Sequence, residues 1–200
     1  MANKVTEWRG VRNLVYAKVI QDDADDYKTG EVKTLAGLAK VSKTVEQSTE
    51  SHYYDDVAAI NINSTGADEV TLEVSAIGIE TLADVTGQKF DPETGAMLEG
   101  ERSNDYFAIG YIASKEDGTD VYVWRYKGTF SIPDSNHDTK TDGTEANGDE
   151  ITFTGVSTAH VFNKWGTRGK ALVVDTGLGK ADVSNFFKEV TTPDTLKAVE

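Results

Sequence analysis

Apolar and polar positions alternate along much of the chain, which is the pattern of half-buried β-strands. The clearest case is VTLEVSA at 70–76, where Val70, Leu72 and Val74 share one face and the residues between them are polar. LVYAKVI at 14–20 is instead a nearly continuous apolar run, as expected of a strand that is covered on both faces. These patterns predict a mainly β protein.

Turn residues divide the rest of the chain into short strands. KFDPETGAML at 89–98 predicts a hairpin that turns at Asp-Pro-Glu-Thr-Gly. YFAIGYIAS and VYVWRYKGTF predict a second hairpin around the turn KEDGTD at 115–120. About eight to ten strands are expected, and many short strands separated by turns are typical of a β-sandwich or barrel.

The hydrophobic period changes at two places. In GIETLADVTG, apolar residues at i, i+3 and i+4 predict one short flanking α-helix over 79–86, with Gly87 placed to end it. DVSNFFKEV at 182–190 has helical spacing as well, which favours a second short helix near the C-terminus with Asp182 as its cap. The last residues, 191–200, have the composition of a C-terminal tail.

Length and composition fit a single domain over 1–200 with an N-terminal arm at about 1–10. The chain has 200 residues, 38% of them hydrophobic, which is enough for a real core. It has no cysteine, so disulfides and thiolate metal sites are excluded. No apolar run approaches the roughly 18–20 residues of a membrane helix. MANKVTEWRG lacks the apolar core of a signal peptide, so we expect synthesis in the cytoplasm and no membrane insertion.

The formal net charge is −14. Solubility alone could account for it. Sequence-specific binding to nucleic acids is disfavoured, because such proteins present clusters of Lys and Arg to phosphates. The one basic cluster, NKWGTRGK at 163–170, is interpreted as a solvated turn.

Few residues suggest catalysis or metal binding. The three histidines lie far apart in sequence, and no hydrolase, zinc or phosphate-binding motif accompanies them. The acidic runs DDADD and DGTEANGDE do not have the spacing of a calcium loop. We therefore predict no catalytic residue, no metal site and no cofactor.

One aromatic stripe leaves two interpretations open. Tyr122, Trp124 and Tyr126 alternate along a predicted strand and therefore share a face. Such a face could stack against a sugar, but it is more often core or interface. If this face stacks against sugars, the protein is a secreted β-sandwich module that binds carbohydrate, and this is the alternative function.

The order of segments along the chain resembles the major tail proteins of long-tailed bacteriophages and of prophages. The resemblance covers roughly Gly10 to Val161, and none of its segments is catalytic. The segments that carry it are, in order, GVRNLVYAKVIQDD, GEVKTLAGLAKVSKTVEQ, HYYDD, VTLEVSAIGIETLADVTGQKFDPETG, YFAIGYIASKEDG and YVWRYKGTFSIP.

The resemblance implies a structural protein and not an enzyme. Members of the family are tail tube subunits, related to the Hcp tube proteins, that form stacked and typically hexameric rings. DNA passes through the hollow tube without specific binding. The implied partners are further copies of the chain, the tape measure protein, the tail terminator and the distal tail proteins. The implied location is the phage tail of the virion.

Two long loops are expected to contact neighbouring subunits or rings. The first, at about 51–68, contains the candidate residues Tyr53, Tyr54, Asp55 and Asp56. The second, at about 133–149, is longer than the roughly 2–5 residues that a hairpin needs and carries almost no apolar side chain. A surface loop and a cation-binding loop remain alternatives to an intersubunit arm there. Its candidate contact residues are Asp134, His137, Asp138, Asp142, Glu145 and Asp149.

Overall fold

The computed structural model describes residues 5–54, 57–133 and 148–199, with the side chains of all of these except 53–63. The protein is mainly β, with 53% strand and 6% helix. Eleven strands and one α-helix are present in the described residues, one strand more than expected. In chain order they are β1 (Trp8–Asp22), β2 (Tyr27–Thr29), β3 (Lys33–Ala36), β4 (Leu38–Tyr54), β5 (Val57–Val74), α1 (Ile79–Thr86), β6 (Lys89–Asp91), β7 (Ala96–Leu98), β8 (Phe107–Lys115), β9 (Asp120–Phe130), β10 (Asp149–Gly155) and β11 (Ala171–Asp175).

Nine of these strands form one antiparallel sheet. Its order is β2-β1-β8-β9-β10-β5-β4, with β3 also paired to β1 and β11 also paired to β9. Consecutive strands β3 and β4 lie at opposite borders of the sheet, and Gly37 alone separates them. In the part of the chain that is described, the sheet does not close into a barrel.

Both hairpins predicted from turn residues are confirmed. In the β6–β7 hairpin, the Asp91 carboxylate accepts hydrogen bonds from the Glu93 N–H and the Thr94 hydroxyl, and Gly95 adopts the left-handed conformation with φ 68°. In the β8–β9 hairpin, Gly118 has φ 83°. Glycine adopts these conformations without the steric cost that a Cβ imposes.

The predicted helix is also confirmed, with the predicted bounds. Gly87 ends α1 in the left-handed conformation at φ 70° and donates its N–H to the carbonyls of Ala83 and Asp84. The buried side of α1 packs through Val85 against one face of the sheet, and Tyr16 in β1 donates a 2.8 Å hydrogen bond to Asp84. Within the described ranges, no helix is long and apolar enough to cross a membrane.

A C-terminal segment, residues 156–199, adds β11 to the sheet and covers the sheet's other face with the rest of its length. Trp124 and Tyr126 of β9 are fully buried beneath it. The Trp124 indole donates a 2.8 Å hydrogen bond to the Phe186 carbonyl, and the Tyr122 ring stacks on Phe187. The apolar run at 14–20 predicted a strand covered on both faces. Residues 14–17 of β1 are buried as predicted, whereas Lys18 and Ile20 are exposed.

The predicted second helix at 182–190 is wrong. Residues 184–190 form successive turns, with hydrogen bonds from Phe186 N–H to Val183 O and from Lys188 N–H to Asn185 O. A helix would need the Phe186 carbonyl for its own ladder, but that oxygen accepts from the Trp124 indole and the Thr191 hydroxyl instead. Tertiary contacts thus override the helical spacing.

The expected C-terminal tail is also wrong, because this stretch is docked on the body through residue 199. Thr191 and Pro193 are buried, and Ala198 pairs with Ala181. The Val199 N–H donates to the Lys180 carbonyl. These contacts hold the end of the chain against residues 180 and 181.

Candidate assembly surfaces

The longest element of the molecule is the hairpin of β4 and β5. The two strands pair from Leu38 and Val74 at the body to Tyr54 and Val57 at the tip. β10 covers the outer side of β5 only from Asp68 onward. The eight residue pairs beyond that point project about 25 Å, at about 3.3 Å per residue. We call this part, residues 47–65, the distal hairpin.

The distal hairpin is exposed on both of its faces where its side chains are described. Neighbouring residues of a strand point to opposite faces, and all of 46–51 and 64–66 are exposed. An isolated two-stranded ribbon with no covered face is only marginally stable in water. The distal hairpin is therefore a candidate assembly surface.

A β-bulge marks the point where the hairpin leaves the body. The register shifts between Val45 and Gln47, next to Gly66 on the opposite strand. A Cβ on Gly66 would lie 2.5 Å from a carboxylate oxygen of Glu46, so the Glu46 side chain lies against the backbone of Gly66. Bulges bend a strand and increase its twist, so this one sets the direction of the distal hairpin.

Buried charges fix the hairpin at the same point. The Asp68 carboxylate accepts hydrogen bonds from Arg125 at 2.9 Å and Lys170 at 3.0 Å, and Lys170 also donates to the Gly66 carbonyl. Burial of Asp68 opposes its ionisation, but the two cations outweigh that effect and lower the pKa of the carboxyl. The ammonium and guanidinium therefore tie the hairpin base to β9 and to the C-terminal segment.

Sequence reasoning missed this cluster. Lys170 lies in NKWGTRGK, which was interpreted as a solvated turn, whereas its ammonium is engaged with Asp68. The turn interpretation is right for Asn163–Gly166, where the Asp194 carboxylate accepts the N–H groups of Asn163 and Lys164. Because Lys170 and Asp68 are 102 residues apart, no local pattern could have paired them.

A second buried carboxylate comes from the acidic run DDADD. The Asp22 side chain accepts hydrogen bonds from Lys127 at 2.6 Å and from the N–H groups of Ala159 and His160. Burial opposes its ionisation, yet these donors lower the pKa of Asp22. Asp23 instead accepts the N–H groups of Asp25 and Asp26 within its own turn. Among the described residues, no group of three or more carboxylates and histidines is placed to hold a metal ion.

The aromatic stripe is part of the core. Trp124 and Tyr126 are fully buried, and Tyr122 packs between Phe186 and Phe187. No face of these rings is available to a sugar. The interpretation as core is confirmed, and the stacking platform of the carbohydrate-binding alternative is wrong.

The predicted contact residues fall into three groups. The expected loop at 51–68 is wrong for its described residues, 51–54 and 57–68, which belong to the paired strands β4 and β5, with Tyr53 opposite Ala58 and Tyr54 opposite Val57. Asp149 begins β10 and accepts a 2.7 Å hydrogen bond from the Ile77 N–H. Seven of the candidates lie outside the described residues: Asp55, Asp56, Asp134, His137, Asp138, Asp142 and Glu145.

A model of a family described as phage tail tube protein matches residues 34–186, which include the hairpin, α1, the β8–β9 hairpin and most of the C-terminal segment. No curated protein matches the chain.

Proposed function

The chain belongs to the phage tail tube protein family, and from this premise we propose that its copies assemble into stacked rings of six. The rings form the hollow tube through which phage DNA enters the host. The family role is structural, in the tail of the virion, and the proposed function needs neither catalysis nor a cofactor.

The distal hairpin is the observation that supports this proposal best. It is a long ribbon whose side chains at 47–51, 64 and 65 are exposed on both faces. In a ring or between rings, a neighbouring subunit would cover these faces and offset the cost of ordering the ribbon. Tyr53, Tyr54, Asp55 and Asp56 at its tip are proposed to contact that neighbour.

The second proposed contact is the polar segment at 133–149. Here acidic side chains would meet Lys or Arg of an adjacent subunit. Each exposed pair contributes only about 0–1 kcal/mol, so the contact depends on repetition along the tube. The candidates are Asp134, His137, Asp138, Asp142, Glu145 and Asp149.

The charge of the chain suits a passage for DNA. With a net charge of −14, a tube built from many copies is strongly acidic. Carboxylates that face the lumen repel phosphates and keep the duplex from adhering to the wall. Further proposed partners are the tape measure protein, the tail terminator and the distal tail proteins.

The experiment that tests the proposal shortens the hairpin without touching the body. Deleting Gln47–His52 and Ile60–Thr65 removes six facing residues from each strand and keeps the alternation of the two faces. We expect the thermal midpoint of the isolated subunit to change by less than about 5 °C. Electron microscopy of concentrated protein should show rings or tubes for the natural sequence and none for the shortened variant.

A control of unchanged length is the pair Ser48→Thr and Ser64→Thr, which face each other across the distal hairpin. This variant should assemble normally. If the shortened subunit forms tubes of normal length and yield, the hairpin is not an assembly surface. If the natural sequence forms neither rings nor tubes at any concentration or in any tail preparation, the proposed function is wrong.

A further inference from the structure

An apolar groove lies at the end of the molecule where α1 begins. Its volume is about 320 Å³, and its apolar lining comes from Ile77, Ile79, Leu82, Met97 and Ile132. Ile79 and Ile132 are about half exposed, so the groove is open to solvent. Ligand-binding pockets typically start at roughly 300 Å³, so this groove can hold one or two large side chains.

The rim of the groove is acidic. Glu99 and Asp149 are its only charged lining residues among those described. Residues 79–102 around it contain six acidic and two basic residues. One of the two cations, Arg102, is engaged with the carbonyls of Thr86 and Phe130. A partner for this groove therefore combines apolar anchors with positive charge.

The start of the same chain has these two properties. Val5 is 94% exposed and Trp8 is 67% exposed, although both are strongly apolar. Arg9 beside them is exposed as well and supplies the positive charge, whereas Arg12 is already paired with Asp120. Tryptophan and arginine are both enriched among the residues that contribute most of the binding energy at protein interfaces.

A subunit cannot fill its own groove with these residues. Trp8 pairs with Lys115, which lies just before the turn that leads into β9. Ile132 lies just after the other end of β9. The eleven residues of β9 separate the two sites by about 30 Å. Val5 and Trp8 are three residues apart and span at most about 10 Å. A second copy can bring them together.

We propose that Val5 and Trp8 of one subunit occupy the groove between α1, β7 and the end of β9 on a second copy of this chain. Arg9 then lies near Glu99 on the acidic rim. The contact is head-to-tail, because it joins two different surfaces that lie at opposite ends of the molecule. This inference rests on the proposed function, because it specifies one of the contacts between subunits that the proposed assembly requires.

The natural absence of cysteine allows a direct test by crosslinking. One variant carries Glu7→Cys, which leaves Val5 and Trp8 intact. A second carries Leu98→Cys, an exposed position between the lining residues Met97 and Glu99. The two variants are mixed and treated with a short bis-maleimide, and the mixed dimer is quantified by mass. We expect the mixed dimer to exceed either homodimer at least tenfold.

The role of the anchor is tested by adding Trp8→Ala to the Glu7→Cys variant, which should reduce the mixed dimer at least tenfold. Trp165→Ala in the same background is the matched control, because Trp165 is 59% exposed at a distant turn, and it should leave the yield unchanged. A yield that is insensitive to Trp8→Ala, or no excess of mixed dimer, overturns this inference even if tubes form. Mixed dimers without rings or tubes support the docking and contradict the proposed function.

Discussion

At the scale of single residues, two buried carboxylates join distant parts of the chain. Asp68 connects the hairpin base to β9 and to Lys170, and Asp22 connects the end of β1 to Lys127 and to the start of the C-terminal segment. Both have a lowered pKa because donors outweigh the cost of burial. Ion pairs of this kind are costly to break, since removing one partner leaves the other without compensation.

We expect Asp22→Asn to destabilise the subunit by about 2–4 kcal/mol at pH 7, because Lys127 loses its partner. A folded-state pKa below the unfolded value of about 3.9 means that the ion pair stabilises the protein above that pH and is lost as pH falls through the folded pKa. The difference in the free energy of unfolding between the natural sequence and Asp22→Asn should therefore shrink below about pH 4. Urea denaturation of both proteins from pH 7 to pH 2.5 measures this difference. Asp23→Asn, at an exposed position, is the control that should change little, and an equal effect of both would refute the role of Asp22.

At the scale of elements, the end of α1 depends on the backbone of one glycine. Gly87 has φ 70°, and a Cβ there would lie 2.4 Å from the Ser103 carbonyl oxygen. A side chain would therefore be strained by its backbone conformation and by a clash with backbone atoms that cannot rotate away. Gly78, at the other end of the same helix, has φ −61° and open space around it.

We expect Gly87→Ala to cost about 2–4 kcal/mol and Gly78→Ala to cost less than about 1 kcal/mol. Both substitutions add a methyl group at an end of the same helix. A difference in stability between the two variants therefore cannot come from helix propensity alone. Chemical denaturation of both variants gives the comparison. Equal stability of the two would show that residues around Ser103 move aside freely.

Elements whose signal is local could be predicted from the sequence. The period of α1, the turn at Asp91–Gly95 and the glycine at 118 are each encoded within about ten residues, and all are confirmed. The distal hairpin was mistaken for a loop because its outgoing strand, Gln47–His52, is polar throughout and lacks the alternation that one buried face imposes. The turns at 184–190 were mistaken for a helix because the Trp124 indole, far away in sequence, takes the Phe186 carbonyl.

At the scale of the whole molecule, the C-terminal segment covers the face of the sheet that α1 leaves open. The structure therefore has three layers, which are α1, the sheet and the C-terminal segment. The segment buries Trp124 and Tyr126 of β9 on the face opposite α1. Without it, these large side chains would lie on an open apolar surface, which in soluble proteins leads to association. The segment is thus a structural layer of the subunit.

We expect removal of residues 183–200 to cost more than about 5 kcal/mol, which is most of the 5–15 kcal/mol that typically stabilises a domain. The truncated protein should aggregate on purification or melt far below the full chain. Removing only 199–200 is the control and should leave the melting point within about 2 °C, because Val199 is exposed. Thermal melting with light scattering measures both effects. A truncated protein that melts like the full chain would show that the layer is dispensable.

The separation of Trp8 from the apolar groove by the length of β9 gives any stack built on that contact a polarity. One terminus of the stack presents vacant grooves, and the opposite terminus presents unburied tryptophans. The two termini are then chemically different and can add subunits at different rates. A protein that starts growth and a protein that stops it need not compete, since each can recognise its own terminus from a single exposed feature.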